Sequence, residues 1–246
     1  MMNREENFIR VKKTTKEEWL KERGKGLGGS DIAALLGFNK NKTSIDLYNE
    51  KKGIVPKENI ENEFTIYGTK CEPLLREMFL LDYPCFEVIH NENEILISKV
   101  KNYQRASLDG EIIVKQDTNI YSYYSMKFGE IAKNKVELKQ GERGILEIKT
   151  AEIMSSTSKD DWHNKIPTNY YCQVIHYLLV TGYDFFILRV KLKSQLQSGC
   201  IVSEIRDYCL RRNDALEDIE YVNIQEKAFW EEHFLKDNPP SLMINL

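Results

Sequence analysis

Long apolar runs are missing from this chain of 246 residues, and nothing approaches the ~20 residues that a membrane-spanning helix needs. The first residues, Met1-Met2-Asn3-Arg4-Glu5-Glu6, carry acids where a secretory leader would carry an apolar core. A cytoplasmic protein is expected. Cysteines are few, odd in number and scattered: Cys71, Cys85, Cys172, Cys200 and Cys209, with no CxxC pair. That argues against structural zinc and iron–sulfur sites, which cluster their thiolates. Buried, reduced thiols are the expectation. His90, His163, His176 and His233 show no close ligand spacing, and no serine lies in a nucleophile-elbow context. None of them is given a catalytic role. Internal repeats and low-complexity linkers are also lacking. Net charge is −3, which argues against coating nucleic acid by bulk attraction, yet 35 Lys and Arg leave room for a local basic groove. Lys12, Lys13, Lys16, Lys21, Arg23, Lys25, Lys40, Lys42, Lys51 and Lys52 are expected to crowd around the candidate site. Most of these belong on solvated helix faces.

What is present reads as helices first and strands later. Thr14 to Glu17, or Thr15 to Glu18, is a capping box opening a helix through Arg23. Gly24, Gly26, Gly28 and Gly29 end it. Ser30 is expected to cap a helix from Asp31 to Leu36, with Gly37 at C′. Thr43 or Ser44 caps a third helix to Lys52, closed by Gly53. A fourth covers Tyr67 to Leu81, with Pro73 near its first turn. Glu94 to Val100, Arg105 to Lys115 and Ile145 to Thr150 read as strands. Residues 115–144 form a hairpin insertion. A helix from Asn169 to Val180 ends at Gly182, and Phe185 to Lys193 and Ile201 to Tyr208 are strands. Asp214 to Lys236 is a long polar-faced helix stopped by Pro239-Pro240. The pattern implies one α/β domain over 1–246, a central mixed sheet flanked by helices, with its motifs in 15–190 and a C-terminal helix over 214–237.

Two stretches carry the chemistry: Ser107-Leu108-Asp109-Gly110 and Leu146-Glu147-Ile148-Lys149-Thr150. As paired strands they set Asp109 beside Glu147, and alternation puts Lys149 on the Glu147 face. Two carboxylates suit a hard divalent cation, which activates water and offsets phosphate charge. A lysine beside them can orient that water or stabilise developing charge.

Gly24-Lys25-Gly26-Leu27-Gly28-Gly29 matches G-x-G-x-x-G in form, but follows a charged helix where a dinucleotide fingerprint follows a strand. Leading to Ser30 at a helix start, it is either an anion-binding turn or a joint between helices. Tyr170, Gln173 and Tyr177 share one face of an otherwise apolar helix. Such a stripe needs core hydrogen bonds or a ligand. Glu72, taken alone, is a surface glutamate.

In order, Trp19-Leu20 with Arg23, Gly28-Gly29-Ser30-Asp31, Tyr67-Gly68 with Glu72-Pro73, Ala106-Ser107-Leu108-Asp109-Gly110, Leu146-Glu147-Ile148-Lys149-Thr150 and Tyr171-Cys172-Gln173 with Tyr177 form one series. It resembles the YqaJ-like viral recombinases, relatives of the phage lambda exonuclease within the PD-(D/E)xK nuclease superfamily. The resemblance implies a magnesium-dependent exonuclease, with manganese as a substitute, that degrades one strand of duplex DNA from its 5′ end in phage recombination. It implies Asp109, Glu147 and the Ile148 carbonyl as metal ligands, with Glu72 reaching the metal through water. Lys149 is then the catalytic lysine. Arg23, Ser30, Gln173 and Tyr177 become the DNA 5′-phosphate pocket. Ring-shaped trimers and a single-strand annealing partner are implied as well. Leu108 stands where the family has proline, which should cost little chemically. Residues 115–144 are longer than a hairpin needs, and could cover DNA, touch a neighbouring subunit or block a ring. Glu111, on the Asp109 face, has no implied role and is expected to be exposed. Two other readings remain: an endonuclease of the same superfamily, and a DNA-binding or inhibitory module with a dead site.

Overall fold

The computed structural model describes residues 6–56, 62–122, 134–153, 160–163, 165–195 and 198–241. Its elements are β1 (Phe8–Lys12), α1 (Lys16–Arg23), β2 (Leu27–Gly28), α2 (Gly29–Leu35), α3 (Ser44–Lys51), α4 (Glu63–Asp82), β3 (Phe86–Ile89), β4 (Glu94–Ser98) and β5 (Gln104–Ala106). β6 (Gly110–Val114), β7 (Thr118–Ser122), β8 (Asn134–Leu138), β9 (Arg143–Ile153), α5 (Thr168–Thr181), β10 (Phe185–Gln195), β11 (Ile201–Arg211) and α6 (Leu216–Ala228) follow.

The central sheet is mixed, in the order β11-β10-β9-β6-β3. β9 and β10 are parallel and joined through α5, as a parallel pair requires a crossover. The other neighbours are antiparallel. Alternation along β9 sorts its side chains between two cores. Ile145 joins the core under α2, α5 and α6, while Leu146 and Ile148 join Leu75 and Phe79 of α4 on the other face. Glu147 and Lys149 therefore face α5.

Several sequence expectations change. The stretch Arg105 to Lys115 is two strands in two sheets: β5 belongs to a second sheet, β1-β4-β5-β2, and β6 to the central one. Asp109 lies in the break between them. Its carboxylate accepts from the Ile148 amide at 2.8 Å, which ties the break to β9. Second, α4 starts at Glu63, capped by the Asn62 side chain, so Pro73 is interior. An interior proline forfeits one helical hydrogen bond, a cost offset here by burial of Cys71, Leu75 and Phe79. Third, α2 starts at Gly29 with Gly28 as its cap, so Ser30 lies in the first turn. Asp31, not Ser30, supplies the capping oxygen, accepting from the Gly28 amide at 3.0 Å. Fourth, Cys200 is exposed while the other four cysteines are buried.

Other readings match. Thr15 and Glu18 make the capping box of α1, and Thr43 caps α3. Gly37 takes φ of 77°, the left-handed conformation a C′ residue needs. β7 and β8 pair as a hairpin. Ile120 and Leu138 of that hairpin are buried in the α4-side core, and the Ser122 hydroxyl accepts from the Cys209 amide on β11 at 2.9 Å. Its paired strands thus complete the core beside β11; 123–133 lie outside the described residues. The C-terminal helical segment begins at Arg212 and continues past α6 to Phe234.

Glu111 is buried, against the expectation of exposure. It receives Arg10 at 2.8 Å and Arg143 at 2.6 Å, and the Tyr183 hydroxyl donates to it. Without it both arginines would keep Glu6, and Arg10 also Glu94, but the two guanidiniums and the Tyr183 hydroxyl would lose their shared buried acceptor. Glu111→Ala should therefore lower unfolding stability by about 1–3 kcal/mol, read from urea midpoints at constant slope.

Candidate active site

Glu72, Asp109 and Lys149 line a groove of about 390 Å³, together with Asn62, Phe64, Gly68 and Ile148, and the buried Glu147 reaches them through Lys149. Each element delivers its residue for a local reason. β9 puts Glu147 and Lys149 on one face, and they form an ion pair at 2.5 Å. β6 pairs Gly110 with Leu146, which leaves Asp109 level with Glu147. α4 carries Glu72 one residue before Pro73.

Glu147 is the most constrained group. It is 1% exposed. One oxygen accepts from Lys149 and from the Gln173 amide at 2.6 Å; the other, Oε2, is buried without a hydrogen-bond partner. Burial, then the Asp109 charge, push its pKa up to about 8, against the pull of Lys149. Burial and the Asp109 charge likewise raise Glu72. Burial lowers the pKa of Lys149, but Glu147 and Asp109 more than reverse it, so the ammonium stays charged. Lys149 also lies 5.6 Å from the centre of the Tyr170 ring.

Two carboxylates raised by burial and by the charge of a third, with a buried oxygen left unpaired, are a donor set short of positive charge. That chemistry fits a hard divalent cation. Among the described residues no three Asp, Glu, His or Cys side chains form a ready-made cage. The protein's own cations stand on two of the acids instead: Lys149 on Glu147 and Arg76 on Glu72. Ligation by two carboxylates and a main-chain carbonyl, with Glu72 acting through water, is compatible with that layout.

The expected phosphate-binding residues also come together. Arg23 stacks its guanidinium 5.2 Å from the Trp19 ring and donates to the Ser30 hydroxyl at 3.0 Å. Gly29 lies against α5 so closely that a Cβ there would be 2.6 Å from the Tyr177 ring and 2.7 Å from Gln173 Cγ. Gly26 and Asp31 of the turn are held by the buried Lys51 ammonium, at 2.6 Å and 2.7 Å. Gln173 donates to Tyr177 at 3.0 Å as well as to Glu147. The stripe on α5 therefore satisfies itself through the acidic centre and joins it to the turn.

Sequence reasoning missed Arg76 and gave His90 no role. Arg76 follows Glu72 by four residues, the spacing at which helical side chains meet. That was the available signal. His90 sits beside them, its pKa lowered by burial and by the Arg76 charge.

The model for the YqaJ-like viral recombinase domain matches residues 18–184, more than half of the chain. The chain belongs to the YqaJ-like viral recombinase family. An uncharacterized protein YqaJ of Bacillus subtilis (strain 168) is 29% identical over 183 residues. The match takes in 74% of this chain and 47% of that protein, so the chain spans about half the length of the curated relative it matches. Among solved structures, LHK-Exo in complex with dAMP superposes with a TM-score of 0.57 at 17% identity, over 91% of this chain and 94% of that one. The alkaline exonuclease LHK-Exo from Laribacter hongkongensis gives 0.52 at 14% identity, over 90% and 95%. The chain shares the fold of those structures, a mixed sheet flanked by helices. No helix among the described residues is long and apolar enough to cross a membrane.

Proposed function

We propose that the protein is a magnesium-dependent exonuclease, folded as one nuclease domain, that degrades one strand of linear duplex DNA from its 5′ end. One observation carries the reading: the Gln173 amide touches Glu147 on one side, and its Cγ backs the Gly29 turn beside Arg23 and Ser30 on the other. An anion pocket for a chain end and a hydrolytic centre would then meet through one residue, a fixed spacing that suits removal of terminal nucleotides.

The roles follow from position. Asp109, Glu147 and the Ile148 carbonyl would hold the cation, with Glu72 steadying its water. The cation, when bound, supplies an activated water and offsets charge on the scissile phosphate. Lys149 stands where it can orient that water and stabilise the departing negative charge. Arg23 and Ser30 would grip the terminal phosphate, with Gln173 and Tyr177 lining the pocket. Manganese should substitute for magnesium. Recombination in the cytoplasm, a single-strand annealing partner and a trimeric ring belong to the same reading.

A duplex labelled at both ends tests direction: the 5′ label should leave as mononucleotide while the 3′ label stays on long DNA. Early release of the 3′ label would reverse the polarity. The pocket makes a separate demand. Ends with a 5′-phosphate should be degraded faster than 5′-hydroxyl ends. Arg23→Ala should erase that preference at a cost of about 1.5–3 kcal/mol, roughly tenfold to a hundredfold in rate, for one charge-assisted contact. Equal wild-type rates on the two ends would remove the pocket.

A further inference from the structure

We propose that Arg76 is the positioning residue of this centre, with one guanidinium holding both the Glu72 side chain and the Asp109 main chain in place for a divalent cation. The inference rests on the nuclease reading above. Arg76 Nη2 donates to Glu72 Oε1 at 2.5 Å, and Arg76 Nε donates to the Asp109 carbonyl oxygen at 2.8 Å. The Arg76 side chain is only 15% exposed. Asp109 lies outside the ladder, in the break between β5 and β6. Its carboxylate is tied to β9 through the Ile148 amide. Arg76 ties its carbonyl to α4, so both ends of the residue are fixed. α4 is itself seated by Leu75 and Phe79 on the α4-side core. The helix and the break are thereby presented to a cation as one unit.

Two effects of this arginine oppose each other. Its charge next to the centre repels a divalent cation, whereas its two hydrogen bonds organise the ligands. A lysine separates them. It keeps the charge but lacks the planar fork that reaches two acceptors at once. Loss of a group that orients metal ligands commonly costs about 10–100-fold in metal affinity.

The test is Mn²⁺ binding to the DNA-free protein, followed by the electron paramagnetic resonance signal of the free ion, in wild type, Arg76→Lys and Glu147→Ala. Circular dichroism on each variant checks the fold. Positioning predicts an affinity about tenfold or more weaker for Arg76→Lys with the fold retained. Wild-type affinity in Arg76→Lys, beside lost binding in Glu147→Ala, would overturn the inference and leave the nuclease reading standing. Wild-type binding in Glu147→Ala would remove the centre itself, and the inference with it.

Discussion

Alanine in place of Glu147, or of Asp109, should leave a folded protein that no longer cleaves DNA. Glu147 is almost wholly buried, with one oxygen unpaired and its acidity suppressed by its surroundings. Removing it relieves repulsion from Asp109 and leaves Lys149, which keeps about a fifth of its side chain in solvent, free to reach water. Unfolding midpoints should nonetheless fall, with the fold retained, because removing one partner of a buried ion pair leaves the Lys149 ammonium and the Gln173 amide without their acceptor. Activity should not hold. Disturbing a group that merely orients a metal ligand costs about 10–100-fold, so loss of a ligand should exceed roughly a hundredfold. Glu72→Ala should fall short of that if its contact runs through water. A Glu147→Ala protein with full, magnesium-dependent activity would sink the ligand assignment.

Lys149→Ala should lower turnover by about 10²–10³-fold, the range seen when one group that stabilises developing charge is lost. DNA affinity should stay nearly unchanged, because the ammonium is occupied by Glu147 in the free protein and acts in the transition state. Lys149→Gln keeps a hydrogen-bond donor and loses the charge, and should not rescue. Kinetics decide the matter: a fall confined to kcat supports the role, whereas a rise in KM alone would make Lys149 a phosphate-binding group.

The candidate site was legible in the sequence to the extent that its residues sit at regular periods. Glu147 and Lys149 are two apart on a strand, and Gln173 and Tyr177 four apart on a helix; both pairs share a face and touch. Ser107 to Gly110 was less legible. A run of strand-forming residues on both sides hid the break at Asp109, which exists because that carboxylate turns to the Ile148 amide across the sheet. Glu111 misled for a related reason. Alternation gave its face correctly, but its partners Arg10 and Arg143 come from β1 and β9, far away in sequence. The second sheet was hidden likewise, because β2 has only two residues and pairs with β5 across the chain. Pro73 suggested a helix start, but the cap lies upstream, where the Asn62 side chain accepts from the Thr65 amide and opens α4 at Glu63.

The most direct test of the central claim is incubation of linear and covalently closed duplex DNA with the protein, in magnesium and in EDTA. Loss of the linear form alone, in magnesium alone, is the predicted result. Efficient nicking of closed circles, or undiminished loss of linear DNA in EDTA, would contradict it.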